Sequence, residues 1–346
     1  MRAAALLTAL VALALVAGCG GSDRGEPVPA APAAAPAAAP PPAAPAVPAP
    51  PGAAPTGAPA EPPPAAGSLQ DRLDATPGPD LPLALGVGDL AVGESRLSFQ
   101  LIDDQGEPIE APAARVLVGR VDTLVGRVDA SSISFRPTAE ADAALVPLGR
   151  AADGVDAGSI YVATVPFAEA GAYWVLLEPA GLDAQGYAVV EVAEAPRAPA
   201  VGTRAIASDT PTVADAPAEA ISTARPVDAE LLQVSVADAL AAGEPLVVAF
   251  ATPRFCKTRA CGPVVEVVRA AARELAGRGV RFVHVEIYER NDPANGENRW
   301  VREWGLPSEP WVFVVDGEGV IRARFEGALG LDELVAAVRT VVPGGS

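Results

Sequence analysis

Two cysteines five residues apart carry the chemistry of this chain. They stand in the stretch Val247-Val248-Ala249-Phe250-Ala251-Thr252-Pro253-Arg254-Phe255-Cys256-Lys257-Thr258-Arg259-Ala260-Cys261-Gly262-Pro263. Paired thiols can exchange with disulfides, form a static bridge or bind a soft metal. Exchange needs the thiolate, and positive potential lowers the cost of forming it. Arg254, Lys257 and Arg259 surround the pair, and no acid occurs between Glu244 and Glu266. A helix beginning just after the cysteines would add the partial positive charge of its N-terminus.

Spacing limits the geometry. Cys-x-x-x-x-Cys on a regular helix would put the Cα atoms ~8.7 Å apart and the side chains about 140° apart, outside disulfide range. A bridge between Cys256 and Cys261 therefore requires a non-helical segment before the helix. Gly262-Pro263 permits this, because proline is favoured in the first helical turn. Either the helix starts at Pro263 with the pair in a loop, or the thiols do not bridge.

The surrounding elements follow from patterning. Leu246–Ala251 is a continuous apolar run of the kind buried on both faces of a sheet. Val264, Val268, Ala271 and Leu275 recur at helical spacing before Gly277 and Gly279. Val280–Ile287 reads as a strand, Asn298–Trp304 as a short helix and Trp311–Val315 as a strand. Asp316-Gly317-Glu318-Gly319 marks a hairpin turn into Val320–Phe325, and Leu331–Val341 is an amphipathic helix. The order is βαβαββα, an α/β three-layer arrangement over residues 231–346.

That order, the cysteines after the first buried strand, and Pro310 before Trp311-Val312-Phe313-Val314-Val315-Asp316 together resemble the thioredoxin fold. The resemblance is nearest to membrane-tethered, extracytoplasmic thioredoxin-like lipoproteins and covers about a third of the chain. It implies a cis proline at Pro310 facing the cysteines, and a catalytic set of Cys256, Cys261 and Pro310. Family members use Cys-x-x-Cys, from which this chain departs. In one alignment Phe255-Cys256 matches the family's aromatic-Cys pair and Cys256 attacks. In the other, Cys261-Gly262-Pro263-Val264 matches Cys-Gly-Pro-Cys, with Val264 in place of the second cysteine. The first keeps the strand-to-cysteine distance nearly normal and is preferred.

Upstream, residues 81–195 carry short alternating strands: Leu97–Ile102, Arg115–Gly119, Ile133–Phe135, Tyr161–Val165, Tyr173–Leu177 and Tyr187–Val192. This pattern predicts an all-β immunoglobulin-like sandwich. Residues 196–230 read as a linker. Sixteen of the 37 prolines fall between Glu26 and Gly67. That Pro/Ala-rich composition cannot bury a core, so residues 19–80 are expected to be a disordered spacer.

Residues 1–18 read as a signal peptide: Arg2, then an apolar segment of fifteen residues from Ala3 to Ala17, interrupted only by Thr8 and too short to span a bilayer. Leu15-Val16-Ala17-Gly18-Cys19 resembles the bacterial lipobox, which implies acylation at Cys19 (palmitate-type), a membrane anchor and an extracytoplasmic location, where disulfides persist. The net charge is −18. An acidic chain repels phosphate backbones, so no nucleic-acid partner is expected.

The function expected is thiol–disulfide exchange on envelope or secreted proteins, with no cofactor and no metal. Two other readings stand beside it: a non-catalytic adaptor with a structural disulfide, and a copper-handling protein similar to the Sco type. For copper, His284 is the sole histidine, and it falls inside a predicted strand. Trp300, Trp304 and Trp311 either pack a core around Pro310 or line an apolar groove beside the cysteines.

Overall fold

The computed structural model describes residues 67–75, 78–121, 134–148, 158–256 and 260–342. The lipobox with Cys19 and residues 19–66 of the spacer expected over 19–80 lie outside these residues, as do Lys257 and Arg259, whereas residues 67–74 of that expected spacer form a short strand and a helix.

The N-terminal half is built from β1 (Gly67–Ser68), α1 (Leu69–Asp74), β2 (Asp80–Leu85), β3 (Leu90–Ala91), β4 (Gly93–Ile102) and β5 (Pro108–Ile109). It continues with β6 (Ala113–Arg120), β7 (Ser134–Pro147), β8 (Ser159–Phe167), β9 (Gly171–Pro179) and β10 (Gln185–Ala193). Seven of these strands close into a ring. β4 pairs with β8, β8 with β7, β7 with β6, β6 with β9, β9 with β10, β10 with β2, and β2 returns to β4. The β10–β2 contact is parallel and the other six are antiparallel, so the barrel is mixed.

Alternate residues fill its interior. Leu97, Phe99 and Leu101 of β4 meet Val116 and Val118 of β6, Tyr161, Ala163 and Val165 of β8, and Val175 and Leu177 of β9. Burying each of the larger apolar chains contributes about 1.5–3 kcal/mol. The interior is a packed core and not a channel. At Gly186 of β10 an added Cβ would lie 2.5 Å from Leu101 Cδ1 and 2.7 Å from Leu83 Cδ2, so the strand passes there without a side chain.

This overturns the expected fold class of an α/β thioredoxin-like βαβαββα domain preceded by an immunoglobulin-like sandwich. The dominant architecture is a closed seven-strand mixed β-barrel with few helices. A sandwich would leave two sheets with free edges, whereas β8 here joins β4 to β7 and closes the sheet on itself. Period-two alternation is common to both architectures, and the difference lies in which edges meet.

Against the barrel packs a four-stranded sheet of β11 (Leu246–Phe250), β12 (Arg281–Val285), β13 (Trp311–Val315) and β14 (Ile321–Glu326), in the order β12-β11-β13-β14. β11 and β12 are parallel; β13 runs antiparallel to β11 and β14. The helices of this half are α2 (Ala218–Ile221), α3 (Val236–Ala241), α4 (Cys261–Glu274), α5 (Arg299–Glu303) and α6 (Leu331–Arg339). One face sets Val247, Ala249, Val312 and Val314 against Val264 and Val268 of α4 and Leu334 and Val338 of α6. The other sets Phe250 and Phe313 against Trp304 and α3.

Charged hydrogen bonds tie the barrel to this sheet. Glu326 Oε2 accepts from the Gly88 and Asp89 amides at 2.9 and 2.8 Å, and its Oε1 accepts from Ser308 Oγ at 2.6 Å. Arg324 donates to Asp89 Oδ2 at 2.9 Å. Arg96 of β4 grips both oxygens of Glu333 and also donates to the Ala328 carbonyl. Outward-facing Leu148 and Ile160 of the barrel meet Ala328 and half-buried Ala260.

Candidate redox site

β11 is wholly buried, as its unbroken apolar sequence requires. After Phe250 the Ala251 amide bonds the Val285 carbonyl at 3.0 Å, and a turn closed by the Phe255 amide on the Thr252 carbonyl, 3.1 Å, leads to Cys256. α4 then starts at Cys261, with Pro263 as its third residue. Cys256 thus stands outside the helix. Cys256 and Cys261 are joined by a disulfide with a Cα–Cα distance of 5.8 Å, in place of the ~8.7 Å of a continuous helix. The non-helical approach is what lets a five-residue offset bridge.

The N-terminus of α4 has an unusual cap. Its N-cap residue, Ala260, offers no side-chain acceptor, and the first turn holds no acid. The Cys261 amide donates instead to Cys256 Sγ at 3.2 Å. The sulfur therefore takes up the first free amide of the helix, and a negative charge there is favoured by the helix dipole. The two sulfurs differ in access. Cys261 is fully buried, while Cys256 is half-buried.

Arg254 is exposed, with its guanidinium 5.2 Å from the centre of the Phe255 ring. Its amide donates to Thr223 Oγ1, the Thr223 amide donates to buried Glu286 Oε1, and so the cysteine turn is braced from below. The Glu309–Pro310 peptide bond is cis, and Pro310 is buried at the head of β13. Contacts run between the two regions. Phe255 meets Tyr288 edge-on at 6.5 Å, and the Tyr288 hydroxyl approaches Glu309 Oε1 at 3.5 Å. Burial, and then the Glu309 carboxylate, push the Tyr288 phenol above its ordinary value of 10.0.

Sequence patterning pointed to neither Tyr288, Thr223 nor Glu286. Their residue types are ordinary, and only the fold places them under the cysteine turn. The tryptophans resolve the other way. Trp304 and Trp311 are 1% and 0% exposed and pack with Phe250 and Phe313 as core, while half-buried Trp300 donates to the Asp209 carbonyl at 2.8 Å.

His284 is buried in β12. Its Nε2 lies 3.0 Å from the Ala251 carbonyl, which can only accept, so Nε2 carries the proton; Nδ1 faces Ser222 Oγ at 3.4 Å. Among the described residues no group of three His, Cys, Asp or Glu side chains comes together as a metal site.

No protein-family model matches the chain, and no curated protein matches it. Among solved structures, the chain is similar to the crystal structure of a thiol:disulfide interchange protein, thioredoxin family protein, from Chlorobium tepidum TLS. Identity is 16% and the TM-score 0.26, over 42% of this chain and 97% of that one.

Proposed function

We propose that Cys256 and Cys261 form a redox couple that exchanges with thiols and disulfides of envelope or secreted proteins. The observation that carries this reading is the Cys261 amide donating to Cys256 Sγ at a helix N-terminus whose N-cap residue offers no side-chain acceptor. That donor holds a thiolate as readily as it holds the bridged sulfur. Unequal burial supports the division of roles in this reading, in which half-buried Cys256 attacks and buried Cys261 resolves.

In the reductive direction, the Cys256 thiolate forms a bond to one sulfur of the partner disulfide, and the other partner sulfur leaves as a thiolate. Deprotonated Cys261 then attacks Cys256 Sγ, restores the internal bridge and expels the second partner thiolate. Two electrons pass to the partner. The reverse sequence oxidises a partner dithiol.

The lipobox-like Leu15–Cys19 and the Pro/Ala-rich stretch after it support a lipid-anchored, extracytoplasmic protein whose exchange site stands off the membrane. Trapping tests the chemistry. Cys261→Ser should accumulate mixed disulfides through Cys256, visible by mass spectrometry, and Cys256→Ser should not. If neither variant traps a partner, the bridge is a structural staple and the exchange reading fails.

A further inference from the structure

The arginine two residues before Cys256 carries a guanidinium that the exchange steps above do not use. Arg254 is exposed, and its side chain lies over the Phe255 ring, 5.2 Å from the ring centre. Its backbone is fixed from below by the amide hydrogen bond to Thr223 Oγ1 at 3.2 Å. Among the described residues no carboxylate pairs with it, whereas Arg269, Arg281, Arg322, Arg324 and Arg339 of the same half each hold one. The acid on this side of the site, Glu309, meets the Tyr288 hydroxyl.

Composition makes the missing carboxylate informative. The chain has 43 acidic against 25 basic residues, yet no acid falls between Glu244 and Glu266, the stretch in which Lys257 and Arg259 follow Arg254. A guanidinium carries five N–H donors and no acceptor, in a planar fork that fits a carboxylate. Stacking on Phe255 orders the Arg254 side chain, and its exposure leaves the fork open to a partner. A polypeptide joined to Cys256 through a mixed disulfide sets its own cysteine Cα about 5.5–6 Å from that of Cys256, and an extended chain advances about 3.3–3.6 Å per residue. Arg254 is itself two residues from Cys256. Partner side chains within two positions of the reacting cysteine therefore come within its reach.

We propose that Arg254 makes the redox site selective for partners that carry an aspartate or glutamate within two residues of the reacting cysteine. The partner carboxylate takes the guanidinium fork while the sulfurs exchange at Cys256. This rests on the exchange reading for its purpose, but the preference is measurable on the bridge itself with added thiols.

The probes are two capped pentapeptides with a central cysteine, one flanked by aspartates and one by serines, each added in excess to the oxidised full-length chain. A peptide thiolate attacks Cys256 Sγ, the bridge breaks and Cys261 leaves as a thiolate. A second peptide thiolate then attacks the peptide sulfur of the mixed disulfide, giving the peptide disulfide and the Cys256 thiolate. Alkylation of the freed Cys261 and mass spectrometry follow the opening. The quantity read is the ratio of aspartyl to seryl rate constants, because each peptide's own thiol reactivity cancels when that ratio is compared between proteins. Arg254→Gln should lower the ratio about three- to fivefold, the upper range for one exposed charge pair, and Arg254→Lys should keep most of it. Salt at about 1 M, which screens charges beyond roughly 3 Å, should lower the wild-type ratio in the same way. An unchanged ratio in Arg254→Gln overturns the proposal, even where both rates fall together. If Arg254→Gln does not fold, the salt comparison decides, and a wild-type ratio that does not fall overturns it. A bridge that neither peptide opens removes the exchange reading along with the proposal. A lowered ratio in Arg254→Gln, together with a Cys261→Ser protein that traps nothing, upholds the carboxylate preference and removes the exchange reading instead.

Discussion

Replacing Glu326 by alanine should weaken a polar joint between the barrel and the sheet. The carboxylate is 9% exposed and accepts from three donors on two parts of the fold: the Gly88 and Asp89 amides and the Ser308 hydroxyl. Alanine leaves all three without their acceptor. The Asp89 amide is buried, and stranding it costs about 1–3 kcal/mol; the other two are partly buried, and water can recover much of each loss, leaving about 0.5–1 kcal/mol apiece. The sum is about 2–5 kcal/mol. Glu326→Gln keeps one acceptor oxygen and the shape but loses the charge, and should cost roughly half as much. Urea unfolding followed by tryptophan fluorescence reads both changes, because the Trp311 indole donates to the same Ser308 oxygen at 3.1 Å. The midpoints should fall in the order wild type, Glu326→Gln, Glu326→Ala, at unchanged m. A loss below about 1 kcal/mol for the alanine variant would refute the joint.

Three further outcomes follow from the geometry. Burial pushes the Asp316 carboxyl up, but the Val320 amide, the Arg322 guanidinium and the Glu318 amide outweigh it and hold the group below its ordinary 3.8. Its stabilisation is therefore complete above that value and lost as pH falls through the lower folded value, so Asp316→Asn should flatten the acid limb of the stability curve; an unaltered limb counts against it. Tyr161 lies inside the barrel and accepts from the Ala111 amide at 2.6 Å, so Tyr161→Phe should cost about 1–3 kcal/mol in denaturant. Burial raises that phenol above 10.0, so its contribution persists below pH 10 and is lost as pH rises through the folded value; a phenylalanine variant with an unchanged alkaline transition would contradict this. Gly186→Ala should destabilise by about 1–3 kcal/mol through overpacking on Leu83 and Leu101, measured as a lowered thermal midpoint.

Local signals in the chain were strong where one element explains itself. The apolar run at Leu246–Phe250 is a strand because five consecutive residues tolerate burial on both faces. The helix after the cysteines follows from Val264, Val268 and Ala271 at helical spacing, and the cations near Cys256 stand out from composition alone. The β-barrel was illegible for the opposite reason. Its strands alternate as sandwich strands do, and closure depends on β8 joining β4 to β7 and on a parallel β10–β2 contact across about a hundred residues. No short-range period encodes such a choice of partner.

The residues by themselves determined that two thiols with cationic neighbours follow an apolar run, and that residues 26–67 are rich in proline and alanine. Whether the thiols meet was a matter of tertiary structure. Spacing alone left the bridge open, because it turns on where α4 begins, and packing starts the helix at Cys261 with Cys256 outside it. The fold likewise buries one sulfur and half-buries the other, and sets Tyr288 between Phe255 and Glu309. Each of these depends on contacts between residues distant in the chain, fixed by burial and hydrogen-bond satisfaction over the whole molecule, which composition and period do not carry.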